Sequence, residues 1–135
     1  MDNLPIAVGD QVAFSKTVSE SDVYLFAGIT GDLSPNHVNE EFMRRTAYGK
    51  RIAHGALLVG YMSNCSTAMC ARVNTPGETP VSLGYDRIRF IAPVFIGDTI
   101  TVTYHIESID QVKRESRADI SVRNQSGEMC AVATH

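Results

Sequence analysis

The sequence lacks the charge balance, the apolar runs and the amino-terminal features that mark several common protein classes. Its 135 residues carry 12 basic and 15 acidic side chains, for a net charge of -3. Nucleic-acid-binding domains neutralise phosphates with a basic excess, so we expect no nucleic-acid partner. No apolar run approaches the ~20 residues that span a bilayer, so we expect no membrane association. The amino terminus has an acid at Asp2 and no basic flank, which is atypical of a signal peptide and favours a cytoplasmic location.

Cysteine is scarce, and the common signatures of cofactor and metal sites are missing. The three cysteines, Cys65, Cys70 and Cys130, form no C-x-x-C pair and are interpreted as small buried apolar residues. The glycines make neither G-x-G-x-x-G nor a P-loop, and no serine lies in a G-x-S-x-G elbow. The histidines and acids lack a compact spacing for metal ligation. We therefore expect no metal and no resident cofactor.

What the sequence does have is the composition of one ordinary globular domain. Apolar residues make up 44% and charged residues 20% of the chain, which disfavours disorder and coiled coil. A chain of this length buries about two-thirds of its unfolded surface in one domain. Prolines and a glycine at 75–80 indicate a loop between a helix-bearing half and a strand-rich half. Each half is too small to stand alone, so we predict one domain over residues 1–135.

In the first half, hydrophobic periodicity predicts a strand and three helices. A strand at 11–18 precedes a helix that Ser19 caps and that ends near 28–31. Residues 32–38 are interpreted as a loop because a proline interrupts them, and a short helix follows at 39–46. The longest periodic segment, at 55–72, is apolar nearly all round, which is typical of a buried central helix.

In the second half, apolar runs, alternation at 99–109 and 115–123, and intervening turns predict antiparallel strands. The predicted strands lie at 81–94, 99–109, 115–123 and 129–134. Short turns between them indicate a sheet in meander order. Together with the central helix, this pattern predicts the α+β class.

Two side chains suited to acid–base chemistry, Asp32 and His37, lie five residues apart on one proline-bearing segment. Such a pair can hold one water between them, with one group taking a proton and the other delivering one nearby. The dipeptide His54-Gly55 opens the predicted central helix, where the Gly55 N–H can stabilise an oxyanion or an enolate. The alternative is that Asp32 is an ordinary turn residue and His37 a satisfied, partly buried histidine.

The remaining polar candidates have a structural and a functional interpretation. His54 either supports the junction of loop and helix or contacts substrate. We expect His105 to be exposed and His135 to be frayed at the end of the chain. A small basic cluster is either a solvated face or a contact for phosphates; its members are Arg44, Arg45, Lys50 and Arg51.

Three separated segments, in the same order, carry a resemblance to a known family. Residues 26–37 read F-A-G-I-T-G-D-L-S-P-N-H, residues 52–55 read I-A-H-G, and residues 90–98 read F-I-A-P-V-F-I-G-D. They resemble the hydratase motif, the start of the central helix and a strand-end pattern of the MaoC-like (R)-specific enoyl-CoA hydratases. The likeness extends over nearly the whole chain. It implies the hot-dog fold, in which a curved antiparallel sheet wraps a long central helix.

The resemblance also implies an activity and a site. The implied reaction is the reversible syn addition of water to a trans-2-enoyl-CoA, giving an (R)-3-hydroxyacyl-CoA. Asp32 and His37 match the catalytic pair, and Gly55 matches the backbone donor that polarises the thioester carbonyl. The implied partners are an acyl-CoA substrate, in which coenzyme A is part of the substrate, and further copies of the chain in a homodimer or higher homo-oligomer. Further substrate contacts are expected from Ser34, Asn36, His54, Leu57 and Tyr61.

The hydratase motif departs from the family pattern at two positions. Ser34 stands where asparagine is usual, and Asn36 stands where an apolar residue is usual. We expect weaker hydrogen bonding around the pair rather than its loss. Three alternatives stay open at this point: a hot-dog thioesterase, an acyl-carrier-protein dehydratase, and a non-catalytic acyl-CoA-binding module.

Overall fold

The computed structural model describes residues 3–135, so the amino-terminal prediction that rests on Asp2 lies outside the described residues. A five-stranded sheet and a long helix dominate the molecule, which confirms the α+β class. No helix within residues 3–135 has the length and hydropathy to cross a membrane. The elements are β1 (Gln11–Thr17), α1 (Glu20–Thr30), α2 (Pro35–Val38), α3 (Glu40–Arg44), α4 (Gly55–Cys70), β2 (Asp86–Phe90), β3 (Thr99–Asp110), β4 (Glu115–Arg123) and β5 (Met129–Thr134).

The sheet is antiparallel throughout, in the order β1-β3-β4-β5-β2. The predicted meander is correct for β3, β4 and β5 but wrong for β2. β2 lies at the far edge beside β5, and the chain then crosses back to begin β3. Hydrogen bonds guide this crossing, because the N–H groups of Ile91 and Ala92 both donate to the Cys130 carbonyl.

One face of the sheet and one face of α4 form the core. Alternate residues of β3 and β4 are buried as predicted, β5 buries Cys130, Ala131 and Ala133, and α4 packs against β1, β3 and β4. Each large apolar side chain buried here contributes ~1.5–3 kcal/mol of transfer free energy. The largest fully buried members are Met62, Ile100, Val102, Ile106 and Val122.

The central helix is buried on one face only, so the prediction that it is buried nearly all round is wrong. Leu58, Met62 and Met69 face the sheet, whereas Ala56 and Gly60 are exposed on the opposite face. The residues on this exposed face are small, so the sequence pattern did not distinguish them from buried apolar residues. The face meets no other part of residues 3–135. Of the cysteines, Cys65 and Cys130 are buried and Cys70 is partly exposed.

The predicted strand at 81–94 shortens to β2 because its first residues pair with no strand within residues 3–135. Val81 and Leu83 are 74% and 77% exposed, and Gly84 has a φ of +143°. Regular pairing with β5 begins only at Asp86, with a bulge before Arg89. Apolar composition alone therefore overestimated this strand.

The segment at 32–38 is not all loop. Ser19 caps α1 as predicted, and the structure adds a reciprocal bond to the Asp22 carboxylate that completes a capping box. Gly31 ends the helix in the left-handed conformation, with a φ of +79°. After residues 32–34, however, Pro35 opens the one-turn helix α2. Proline suits the first helical position because no hydrogen bond needs its missing N–H there.

His135 is ordered rather than frayed. Its backbone N–H and C=O both pair with Ala118. Its Nδ1 bonds the Tyr104 hydroxyl at 2.8 Å, and its Nε2 bonds the Ser82 hydroxyl at 2.7 Å. The ring stacks on Tyr85 with centroids 4.6 Å apart, and burial lowers the pKa of His135. His105, predicted to be exposed, is half-buried on β3.

Candidate active site

The backbone around Asp32 forms a tight, locally bonded turn. The N–H of Asp32 donates to the Thr30 hydroxyl at 3.2 Å, and the N–H of Ser34 donates to the Asp32 carboxylate at 3.3 Å. This side-chain-to-backbone bond is typical of an aspartate that begins a turn. The Asp32 side chain is nevertheless exposed. Its carboxylate therefore keeps acceptor capacity for a ligand.

The His37 ring is held in one orientation by Ile52. Its Nδ1 lies 2.7 Å from the Ile52 carbonyl, and the Ile52 N–H donates to the Asn36 carbonyl at 3.0 Å. Because a carbonyl oxygen only accepts, Nδ1 carries the proton. With the proton on Nδ1, the acceptor nitrogen of an uncharged imidazole is Nε2. Ile52 is itself bridged to Phe95, which ties this support to the crossing before β3.

His54 lies directly beneath the pair. It is 1% exposed, and its Nε2 donates to the Asp32 carbonyl at 3.0 Å. Its ring stacks on His37, with centroids 3.7 Å apart and planes at 26°, and contacts Phe26 on a centroid distance of 4.7 Å. The side-chain ligand atoms of Asp32, His37 and His54 all lie within 4.8 Å of one another. The fold therefore brings together the three polar side chains that the sequence singled out.

Gly55 begins α4 immediately after His54. His54 is the N-cap residue and gives no side-chain cap, and within residues 3–135 the Gly55 N–H has no acceptor. The positive end of the helix dipole adds to this unpaired donor. A Cβ at this position would lie 2.6 Å from Cε2 of Phe90. Glycine thus allows the Phe90 ring to cover the helix start while the N–H remains available.

Comparison with known proteins assigns the family. Residues 5–127 match the family model of the MaoC like domain. The chain belongs to the MaoC-like family. An (R)-specific enoyl-CoA hydratase of Rhodospirillum rubrum is 39% identical over 109 residues, covering 81% of this chain and 72% of that protein. A 3-hydroxybutyryl-CoA dehydratase of Methylorubrum extorquens is 37% identical over 112 residues, covering 83% of this chain and 68% of that protein.

Solved structures support the same assignment. The (R)-hydratase from A. caviae involved in PHA biosynthesis has a TM-score of 0.85 at 26% identity, covering 96% of this chain and 93% of that chain. The hot-dog fold implied by the three sequence segments is thereby confirmed for this MaoC-like chain.

The sequence argument against a metal site in this MaoC-like chain assumed that residues far apart in sequence do not meet. That assumption was wrong, because the fold brings His54 to Asp32 and His37. The donor set nevertheless fits a metal poorly. Imidazole lone pairs lie in the ring planes and must converge on a metal, whereas the two stacked rings are nearly parallel. The geometry favours acid–base chemistry, and the absence of a metal stays a prediction.

The other predicted substrate contacts of the MaoC-like site have different surroundings. The Ser34 side chain does not cap α2, and Asn36 is exposed. Leu57 is partly buried against the core. The Tyr61 hydroxyl donates to Asp22 at 3.2 Å, and burial raises the pKa of Tyr61. Tyr61 thus has a structural partner, and contacts of these side chains with substrate remain predictions.

The basic cluster is largely paired with acids. Arg51 donates to Glu20 at 2.6 Å and to Glu40 at 2.5 Å, and also bonds the Tyr24 hydroxyl. The two carboxylates raise the pKa of Arg51 further above its already high value. Arg51 therefore joins α1, α3 and the segment before α4.

The other three cations of the cluster also have partners. Arg44 and Arg45 pair with Glu41 at 2.9 and 3.4 Å. Lys50 lies 4.5 Å above the Phe95 ring. These contacts favour the interpretation of the cluster as a solvated, self-neutralised face.

Proposed function

We propose that this MaoC-like chain is an (R)-specific enoyl-CoA hydratase, a hydro-lyase that adds water reversibly to trans-2-enoyl-CoA. The observation that carries the proposal is the grouping of the Asp32 carboxylate with the His37 ring, whose Nδ1 is held by the Ile52 carbonyl. The Gly55 N–H, which has no acceptor within residues 3–135, lies one residue beyond the adjacent His54. The hydratase and dehydratase relatives support the same reaction class.

Asp32 and His37 hold the attacking water and move its proton. Asp32 and the Nε2 of His37 are both acceptors, so one water can donate a hydrogen to each. As the water oxygen bonds to the β-carbon, the pair accepts one proton. The same proton equivalent returns to the α-carbon from the same side. Addition is therefore syn, and no other reactant is consumed.

The start of α4 stabilises the charge that addition creates. When oxygen attacks the β-carbon, the electron pair of the double bond moves through the α-carbon onto the thioester oxygen. The Gly55 N–H and the helix dipole favour negative charge at that oxygen. A donor of this kind acts more strongly on the enolate than on the ground-state carbonyl, which is what catalysis requires.

The test is loss of the enoyl-thioester absorbance when the purified protein meets crotonyl-CoA, followed by chiral analysis of the 3-hydroxy product. We expect turnover by the native protein and a fall of about 10²- to 10⁴-fold in kcat for Asp32→Asn, because general acid–base catalysis contributes that much. Asp119→Asn makes the same change at an exposed position on β4 and should leave turnover unchanged. Full activity of Asp32→Asn contradicts the proposal.

The same preparation separates the three alternatives. Release of free thiol from saturated acyl-CoA would indicate a thioesterase. Hydration of carrier-protein-bound substrate alone would indicate an acyl-carrier-protein dehydratase. Binding of crotonyl-CoA without turnover of any enoyl thioester would indicate a binding module.

We also propose that the chain forms a homodimer. Phe90 and Ile91 are 55% and 59% exposed at the edge of the sheet beside Gly55, and one face of α4 is open. Exposed apolar surface of this kind is typical of an interface. Light scattering should give twice the 14.7 kDa mass of one chain, and a monomer at assay concentration would contradict it.

A cytoplasmic location is part of the proposal. Within residues 3–135 the three cysteines Cys65, Cys70 and Cys130 are all free thiols. Unpaired cysteines are typical of a reducing compartment. Fractionation of the source cells tests this location, and recovery outside the cytoplasm would contradict it.

A further inference from the structure

We infer that His54 is a positioning residue, which fixes Asp32 by a hydrogen bond and His37 by ring stacking. The inference rests on the proposed hydratase function and adds to it a residue that acts through the catalytic pair. His54 is a good candidate because it joins the buried start of α4 to both members of the pair.

The hydrogen bond anchors Asp32 to the interior. The other two bonds of Asp32, to Thr30 and Ser34, are local and lie within the exposed turn. The bond from His54 Nε2 to the Asp32 carbonyl instead spans 22 residues of sequence. It fixes the backbone from which the carboxylate projects, so its loss would let the turn move as a unit.

The ring anchors His37. His54 lies between Phe26 and His37, and it is buried whereas His37 is partly exposed. One face of the His37 ring is therefore backed by a rigid neighbour, while the Ile52 carbonyl holds Nδ1. Together the two contacts direct the Nε2 edge of His37 outward.

Packing alone does not explain a histidine at this position. Its Nε2 donates to a carbonyl, so Nδ1 carries a lone pair, and Nδ1 is buried without a hydrogen-bond partner among the described residues. An unsatisfied buried acceptor is unfavourable. Phenylalanine would fill a similar space and stack on the same rings without that cost. The feature that only the histidine supplies is the Nε2–H beneath Asp32.

Three substitutions separate the donor from the ring. His54→Phe keeps an aromatic ring and removes the donor. His54→Gln removes the ring but places an amide N–H at about the reach of Nε2. His54→Asn also removes the ring, and its shorter amide cannot reach the Asp32 carbonyl. His105→Phe is the matched control, because His105 lies on β3 away from the pair.

The experiment measures kcat and KM for crotonyl-CoA, together with the melting temperature, for each protein. We expect His54→Phe to keep or raise the melting temperature while kcat falls about 10- to 100-fold at little-changed KM, because small misplacements of catalytic groups cost that much. His54→Gln should recover part of this loss and exceed His54→Asn in kcat. His105→Phe should match the native protein.

A merely structural role predicts the opposite pattern. If His54 only fills space, His54→Phe keeps native kcat whatever its stability, and that result overturns the inference. If His54→Phe fails to fold, the amide pair decides, since equal kcat for His54→Gln and His54→Asn also overturns it. Absence of turnover by the native protein is a separate outcome that overturns the proposed function, and this inference with it.

Discussion

Two histidine clusters lie in this molecule, and they are built from similar contacts. At the start of α4, His37 stacks on His54 with centroids 3.7 Å apart. Beside β3, His135 stacks on Tyr85 with centroids 4.6 Å apart and also contacts the Tyr104 ring. In each cluster, a backbone or hydroxyl partner fixes a ring nitrogen.

The two clusters differ in how many ring nitrogens of the histidine have a hydrogen-bond partner among the described residues. Both nitrogens of His135 bond hydroxyls, and burial raises the pKa of its partner Tyr104 to about 12. At the other cluster, Nδ1 is the His37 nitrogen that bonds a partner among the described residues, and the ring lies close to the exposed Asp32 carboxylate. Stacking and burial organise a histidine in both places. Only a free lone pair beside a second titratable group makes it suited to acid–base catalysis.

The largest expected effect comes from making the same substitution in both clusters. His37→Gln removes the acceptor from the pair, and kcat for enoyl-CoA hydration should fall about 10²- to 10⁴-fold. His135→Gln should leave kcat near the native value, because His135 lies in the other cluster and bonds Ser82 and Tyr104. Steady-state kinetics on both variants checks this. Equal losses in the two would mean that the contrast between the clusters has no catalytic meaning.

A second contrast concerns two glycines on α4. A Cβ at Gly55 would meet the Phe90 ring at 2.6 Å, whereas a Cβ at Gly60 would meet no atom of residues 3–135 within 4 Å. Gly55→Ala should lower kcat roughly tenfold, because the displaced Phe90 ring and the new methyl group crowd the Gly55 N–H. The effect is smaller than the ~10²- to 10³-fold loss in kcat that follows complete removal of an oxyanion donor.

Gly60→Ala is the matched control for Gly55→Ala. It should keep native kcat and raise the free energy of unfolding by up to ~1 kcal/mol, because alanine favours the helix interior. Kinetics and urea unfolding of both variants give the comparison. Unchanged kcat in Gly55→Ala would show that access to this N–H does not limit the reaction.

The sequence predicted best those parts whose periodicity reflects burial. Alternation located β4 at its observed bounds, the turn at 126–127 located β5, and the Ser19 cap located α1. The strand prediction failed at residues 81–85, because an apolar segment does not reveal whether a partner strand is available. The burial prediction failed similarly on the outer face of α4, where small residues look apolar although they are exposed.

In the candidate site too, local motifs predicted some residues, whereas contacts between distant segments were not predicted. Asp32 and His37 were predicted as a pair because they lie on one short segment, and Gly55 because it begins the predicted central helix. The partners of Arg51, by contrast, come from α1 and α3, and no local pattern encodes a salt bridge to Glu20. The stack of His54 under the pair likewise depends on how α4 packs. Tertiary contacts that join distant segments are what the sequence pattern left undetermined.

The smallest expected effect is a pH dependence of stability at the second cluster. Burial lowers the pKa of His135 below its value in the unfolded chain, so the folded state favours the neutral ring. Below about pH 6.5 the unfolded chain takes up the proton first, and stability is therefore lost as the pH falls. The carboxylates of Glu20, Asp22 and Asp110, whose pKa values are also lowered, lose their contribution only in more acidic solution.

The measurement is the urea midpoint of the native protein and of His135→Gln between about pH 5.5 and about pH 7.5. The native midpoint should fall more on acidification than the midpoint of His135→Gln. An identical fall in native protein and His135→Gln would show that His135 does not couple protonation to folding. The contrast between the clusters would then rest on catalysis alone.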